Sequence, residues 1–288
     1  MRLGVIGGSG LYEVEELAGC TRETLETPFG APSDAYGIGT IGRTDVCFLP
    51  RHGIGHRLLP SEINHRANIH GFKQLGVNAI LAFSAVGSLR EEIRPRDILL
   101  PDQYYDRTKQ NYTFFGHGVA AHIPFGDPVC PTLHTLLQSR APSLLAESAG
   151  AQATLHGAGT YVNMEGPAFS TRAESETYRR LGFDVIGMTS LPEAKLCREA
   201  GICYSAVALV TDYDCWHTTE DVNVEMVVEN VRANTAFARA LLVTMAGAVE
   251  TKAACGCADS LAGAVMTHRE SIPDETAARL ALILPAKS

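Results

Sequence analysis

Short, nearly unbroken apolar runs alternate along this chain with longer stretches whose apolar residues recur at helical spacing. A run of four to eight apolar residues bounded by turn formers reads as a buried strand, whereas recurrence every three or four positions reads as an amphipathic helix. The pattern predicts strands at Leu3–Ile6, Val46–Leu49, Ala79–Phe83, Ile98–Leu100, Gly159–Val162, Asp184–Ile186 and Tyr204–Val210. It predicts helices at Ser61–Leu75, Pro131–Arg140, Arg172–Leu181, Pro192–Ala200 and from about Val224 to Met245. Ser61 followed by Asn64, and Thr171 followed by Glu174, read as helix N-caps, and the second pair makes a capping box. Alternation of this kind favours an α/β architecture.

No internal repeat or low-complexity linker interrupts the chain. Residues 103–130, rich in Tyr, Phe, Gly and His, read as a long excursion of the sort that serves a site or an interface. After about Glu250 the composition shifts to Ala, Gly and small polar residues. The expected organisation is one catalytic domain over residues 1–250 and a divergent tail over 251–288.

Composition narrows the function classes. Of 288 residues 45% are hydrophobic, enough for a sizeable core, and the formal net charge is −8. An acidic balance argues against a general nucleic-acid surface, although a few arginines aimed at one pocket still suffice for an anionic substrate. The longest apolar stretch, near Ala240–Val249, is shorter than the roughly 20 residues of a membrane span, and the start of the chain lacks a signal-peptide pattern. Eight cysteines without a secreted-scaffold spacing fit a cytoplasmic protein with reduced thiols.

The candidate chemistry gathers at strand ends. VIGGSG at 5–10 follows the first strand; its backbone amides and the Ser9 hydroxyl suit an anion, though a plain tight turn reads the same. A nicotinamide fingerprint is disfavoured, because Glu13 stands where the third glycine belongs. Arg51-His52-Gly53 follows the strand ending at Leu49, with a guanidinium fork suited to phosphate. Ser84 and its small neighbours end a third strand. In EGPAFSTRAE, Phe169 is either a stacking ring or core, and Glu165 a site acid or a loop acid. Met188 and Thr189 end another strand, Met188 being a sugar platform or core filler. TDYDCW at 211–216 sets two carboxylates two residues apart after an apolar strand. Together they suit one edge of a purine, one as a proton donor if burial raises its pKa, the other accepting from an amino group. An exposed acidic loop or a metal pair is the alternative, and the metal lacks a ligand set beyond His217.

VIGGSG, RHG with His56, Pro60 and Asn64 behind it, GSLREEIRPRDI, EGPAFSTRAE, GMTSLPEAKL and TDYDCW occur in the order that resembles the 5′-methylthioadenosine phosphorylases. These belong to the trimeric purine nucleoside phosphorylase group, and the resemblance runs from Arg2 to about Met245. It implies a central twisted, mixed and partly barrel-like β-sheet flanked by helices. It also implies phosphorolysis of methylthioadenosine to adenine and methylthioribose 1-phosphate, with phosphate as co-substrate and no metal or organic cofactor. By it Ser9, Arg51, His52, Ser84 and Thr189 surround phosphate, and Met188 and Ala85 adjoin the nucleoside. Phe169 lies beside the base, Asp212 serves the purine N7 as the catalytic acid, and Asp214 reads the six-amino group. Val224 and Val227 line the methylthio pocket, and His122 reaches a neighbour's site in a homotrimer or a dimer of trimers. Departures are Ala168, where relatives commonly carry arginine or glutamine, and Ser9 and Ser84, where threonine is frequent. The tail beyond Glu250 matches poorly. A 6-oxopurine or methylthioinosine phosphorylase is the nearest alternative, and a non-catalytic nucleoside-binding protein a more distant one.

Cys255 and Cys257 in the tail have two readings: reduced thiols in a flexible segment, or a redox or stabilising element formed with each other or with the body of the protein. Some thermostable members of the resembled family carry a similar C-x-C. Cys130 and Cys203 are a second candidate pair. Zinc is disfavoured on the sequence, since two thiolates need two further ligands and only His268 is near.

Overall fold

The computed structural model describes residues 1–8, 20–148, 153–217, 224–249 and 254–284. Its centre is β5 (Ala79–Ser88), a strand of small and aliphatic residues that pairs with three others. It lies parallel to β1 (Arg2–Gly7) and to β11 (Cys203–Asp212), and antiparallel to β10 (Val185–Gly187). Every residue of β11 is buried, as a strand covered on both faces requires.

Outward from β1 the sheet continues through β4 (Thr44–Pro50), β3 (Tyr36–Ile41) and β2 (Thr21–Glu23). Beyond β10 it continues through β9 (Thr160–Met164) and β7 (Gln103–Arg107). A third arm runs from β11 through β6 (Ile98–Leu99) to β8 (Leu155–His156). The 11-stranded mixed sheet therefore forks at β5 and does not close.

Alternation along the strands divides the core in two. Leu3, Val5, Leu81, Phe83, Val207 and Leu209 face α2 (Pro131–Ser148) and α5 (Val224–Val249). Ile6, Ile80, Ala82, Tyr204 and Ala206 face α1 (His65–Gln74) and α4 (Ser190–Glu199). The latter cluster also takes in Leu261, Ala264, Leu280 and Ile283, so the described part of the tail packs onto the body, its short helix α6 (Asp274–Arg279) included. Among the described residues no helix is long and apolar enough to cross a membrane.

All seven predicted strands and five predicted helices are present. Ser61 lies in a separate 3-10 turn, Pro60–Glu62, and α1 begins only after Asn64, whose side chain accepts from the Ala67 amide at 3.1 Å. The capping box of α3 (Arg172–Arg180) forms as expected, with the Glu174 amide donating to Thr171 Oγ1 and the Thr171 amide donating to Glu174 Oε2. The excursion 103–130 is not wholly irregular, since its first residues are edge strand β7.

One contact shows how closely the first helix is seated. A Cβ at Gly71 would overlap the hydroxyl of Tyr36, which is fully buried and donates to Asn68 O at 2.7 Å. Gly71→Ala is therefore expected to destabilise the protein by about 1–3 kcal/mol. In a Tyr36→Phe background that loss should shrink, because the overlapping oxygen is gone. Urea unfolding of the four proteins measures the difference; an equal loss in both backgrounds contradicts this packing.

Candidate active site

The parallel strands β1, β4, β5 and β11 end on the same side of the sheet, where open α/β sheets gather ligands. The Arg51 amide, one residue beyond β4, donates to Gly7 O at the end of β1. Here the structure brings together Arg51, His52, Ser84, Ala85, Met188, Thr189, Asp212 and Asp214.

Arg51 is almost completely buried. Its Nε donates to Glu193 Oε1 at 2.5 Å and its Nη2 to Oε2 at 3.1 Å, while Nη1 donates to Phe83 O at 2.8 Å. Glu193 also accepts from the Tyr204 hydroxyl at 3.0 Å. The outer edge of the guanidinium is thus held by Glu193, and a ligand meets only the remaining N–H of each terminal nitrogen. Glu193 received no role from the sequence; an acid on a helix 142 residues away looks like a solvated one.

His52 stacks on His56 with ring centroids 4.2 Å apart, and its Nδ1 lies 2.9 Å from Leu58 O. A carbonyl only accepts, so Nδ1 carries the hydrogen and the neutral ring presents Nε2 as an acceptor. Burial, reinforced by Arg51, lowers the His52 pKa to about 4. His65, fully buried at the start of α1, is lowered by burial to about 3.

Ser84 Oγ lies 3.4 Å from the hydroxyl of buried Tyr161, and Ala85, within a central strand, is exposed. An exposed residue there marks an opening in the sheet's cover. The chain leaving β10 runs antiparallel to β5, which returns Met188 and Thr189 towards Ala85 and Ser84. Thr189 is the buried N-cap of α4, yet its side chain makes no cap hydrogen bond, so its hydroxyl is not committed to the helix. This turn is held by Asn163, fully buried, which donates to Met188 O at 3.2 Å and accepts from the Leu191 amide at 3.0 Å. Gly187 must remain small because a Cβ would overlap the Tyr161 hydroxyl.

Asp212 is buried; its Oδ2 accepts from Thr211 at 2.7 Å and its Oδ1 from the Asp214 amide at 2.9 Å. Asp214, also buried, adopts φ 51°, and its Oδ2 finds no hydrogen-bond partner among the described residues. Burial raises both carboxyls above the usual range, and in Asp214 nearby serine hydroxyls offset this in part. Gly87 makes room for the pair: a Cβ there would lie 2.9 Å from Asp212 Oδ1 and 3.4 Å from Asp214 Cβ. The segment is locked by Trp216, whose Nε1 donates to Ser88 O at 2.7 Å while the Arg179 guanidinium lies 3.6 Å from its ring centroid. These contacts exclude the exposed acidic loop.

Phe169 is half exposed and so is not core. Its loop meets Met188 through Gly166 (φ 69°), where a Cβ would lie 2.5 Å from the Met188 sulfur. Glu165 accepts from Lys109 N at 2.7 Å and Gln110 Nε2 at 2.8 Å, tying this loop to the excursion. Val227 is half-buried on α5, one turn before Asn230, which donates to Thr211 O at 2.7 Å. Ser9 and the side chain of Val224 lie outside the described residues. His122 is exposed, and its amide donates to Ala264 O at 2.9 Å, to the tail and not to this group.

The phosphorylase superfamily model matches residues 2–246. The chain belongs to that superfamily. An S-methyl-5′-thioadenosine phosphorylase of Geobacter sulfurreducens is 52% identical, over 98% of this chain and 97% of the relative. The alignment therefore extends into the tail that the sequence motifs left poorly matched. A methylthioadenosine phosphorylase from an antarctic soil metagenomic library has a solved structure that superposes with a TM-score of 0.90 at 42% identity, covering 99% of both chains. The methylthioadenosine phosphorylase of Schistosoma mansoni, solved with adenine, superposes with a TM-score of 0.85 at 34% identity, covering 94% of this chain and 99% of the other.

The histidine environments have a measurable consequence. In the ligand-free protein His52 and His65 should stay neutral down to about pH 4 and about pH 3, observable by NMR of the ring nuclei. Unfolded chains take up these protons from about pH 6.5 downward, so both residues lower stability as pH falls from 6.5 towards 4. A ring that titrates near 6.5 in the folded protein contradicts its burial.

Proposed function

We propose that the protein cleaves 5′-methylthioadenosine with inorganic phosphate, releasing adenine and 5-methylthioribose 1-phosphate. The observation that carries this reading is the buried Asp212–Asp214 pair at the end of β11, beside strand β5 that carries Ser84 and Ala85. A phosphate oxygen forms a bond to the anomeric carbon while the bond from that carbon to the purine N9 breaks. The leaving base gains electron density, which a proton at N7 relieves.

Phosphate is held by the two inner N–H groups of Arg51, the hydroxyls of Ser9, Ser84 and Thr189, and the N-terminus of α4. Arg51 with Glu193 is close to neutral as a pair, so these directed donors, and not a net positive field, do the binding. His52 Nε2 accepts the one hydroxyl of the phosphate dianion, orienting the ionised oxygens towards the sugar. Asp212, its pKa raised by burial, supplies or shares the N7 proton. Asp214 accepts from the six-amino group with its unpartnered Oδ2. Met188 and Ala85 pack against the ribose, Phe169 against the base, and Val224 and Val227 against the methylthio group. Neither a metal nor an organic cofactor enters this reaction. The site acts in the cytoplasm, in salvage of adenine and of the methylthio sugar.

The assembly is a trimer or a pair of trimers, with His122 completing a neighbour's site. An exposed histidine on a segment braced by the tail suits that role. Sedimentation analysis should give a trimer or hexamer, and His122→Ala should raise the nucleoside KM without dissociating it. A fully active monomer contradicts the assembly.

Adenine release from methylthioadenosine, measured with and without phosphate, tests the reaction. Wild type should require phosphate and prefer methylthioadenosine to methylthioinosine. In Asp214→Asn that preference should fall by about ten- to a hundredfold, as expected for loss of a charged acceptor. Preference of the wild type for methylthioinosine rejects the base assignment, and phosphate-independent cleavage rejects the reaction.

A further inference from the structure

Four cysteines from three distant parts of the chain converge at the end of β11 away from the aspartates. Cys130 precedes α2, Cys203 opens β11, and Cys255 and Cys257 flank the start of a 3-10 turn in the tail, Gly256–Asp259. Their four sulfurs all lie within 4.8 Å of one another. Cys130, Cys203 and Cys257 are buried in the cluster that includes Leu133, Leu137 and Phe237, and Cys255 packs against it. The tail thiols are therefore not in a flexible exposed segment.

We propose that Cys130, Cys203, Cys255 and Cys257 form a tetrathiolate site for a structural zinc ion. The four sulfurs form one mutually adjacent group, and none of the eight cysteines is in a disulfide. Cys255 Sγ lies 3.3 Å from Cys203 Sγ and 3.7 Å from Cys130 Sγ, approaching two different sulfurs at once. A disulfide would take one of these to about 2.05 Å and leave the other out. Four sulfurs about 2.3 Å from a tetrahedral zinc are about 3.8 Å apart, close to what the two contacts show. All four positions of such a site are protein thiolates and the surroundings are apolar, so the site is closed, as structural zinc sites are. Binding exchanges the four thiol protons for one Zn²⁺ and gives a site of net charge −2.

The sequence had only His268 to offer as a further ligand to the C-x-C pair. The fold supplies Cys130 and Cys203 in its place, with hydrogen bonds that fix both: the Cys130 amide donates to Tyr204 O at 2.8 Å, and the Cys203 amide to Asn78 O at 3.0 Å. The proposed metal would staple the tail to the first residue of β11. Asp212 stands nine residues further along that strand, about 30 Å at strand rise, so the metal takes no part in the reaction.

The test uses the full chain purified without chelators from zinc-replete cells and dialysed against metal-free buffer. Elemental analysis and native mass spectrometry should find about one zinc per chain, retained through dialysis. Cys257→Ser should lose it. Should that variant fail to fold, wild type loaded with Co²⁺ supplies the second readout, the visible absorption and sulfur-to-cobalt charge transfer of a tetrahedral tetrathiolate. Chelation of the wild type should lower its Tm and open the four thiols to alkylation. Metal-free protein, iron in place of zinc, or a mass short of the hydrogens lost on forming one or two disulfides overturns the proposal. Each of these readouts is independent of catalytic activity.

Discussion

The ion pair between Arg51 and Glu193 ties the site to the fold. Removing two charges from water costs several kcal/mol each, and in a buried pair the cost is offset only when geometry and remaining hydrogen bonds are both satisfied. Here they are: two contacts join the guanidinium to the carboxylate, Phe83 O takes a third N–H, and the Tyr204 hydroxyl donates to Glu193. The four residues belong to the end of β4, to β5, to α4 and to β11. The pair thus fixes the relative positions of the elements that carry His52, Ser84, Thr189 and Asp212. Removing one partner would leave an uncompensated buried charge, a far larger disturbance than the loss of one contact.

The same pair sets the chemical character of the proposed anion site. An arginine whose charge is largely balanced by its own carboxylate offers direction more than attraction. The histidines behind it are held neutral by burial, with the guanidinium adding to that effect. Under the proposed assignment, recognition of phosphate depends on how many donors point inward; Thr189 makes no side-chain cap bond, and Asn163 holds the turn that carries it. The proposed purine end follows the opposite logic. Two carboxyls are packed against Gly87, one supplied with two donors and the other left with an unpartnered oxygen. Burial raises both, and among the described residues the second keeps an oxygen with no partner, open to a ligand's amino group.

Much of this was legible in the sequence because it is local. Strands β1, β4, β5 and β11 are apolar runs, and the candidate residues stand at their ends. The Thr171–Glu174 box is read within four residues, whereas the cap expected at Ser61 falls on Asn64 because a separate 3-10 turn precedes the helix. Strand β3 (YGIGTI) escaped notice because glycine alternates with its larger residues, and β7 (QYYDR) because an exposed edge strand carries no apolar run. What the pattern could not supply were partners distant along the chain. Glu193 looks like a surface acid on a helix until α4 is placed over Arg51. Gly87 is an ordinary small residue until the register of β5 and β11 sets it beneath the aspartates. The resemblance offered most of the candidate site residues, but neither Glu193 nor Asn163.

The cysteines show the same limit from the other side. A C-x-C pair in an apparently loose tail has too few ligands for a metal, and a count along the sequence finds only one more candidate nearby. In three dimensions the deciding fact is that β11 must begin beside the start of α2, because the Cys130 amide donates to Tyr204 O. That brings Cys130 to Cys203, and the tail, drawn in by Leu261 and Leu280 against the α1–α4 side of the sheet, completes the cluster. One strand therefore has thiols at its first residue and carboxyls at its last. Its central residues are fully buried and held on both sides by β5 and β6, so β11 resists displacement along its length. The tail packed at that first end also accepts from the His122 amide through Ala264 O, so its contribution is positional: it braces the exposed histidine and completes the thiol cluster.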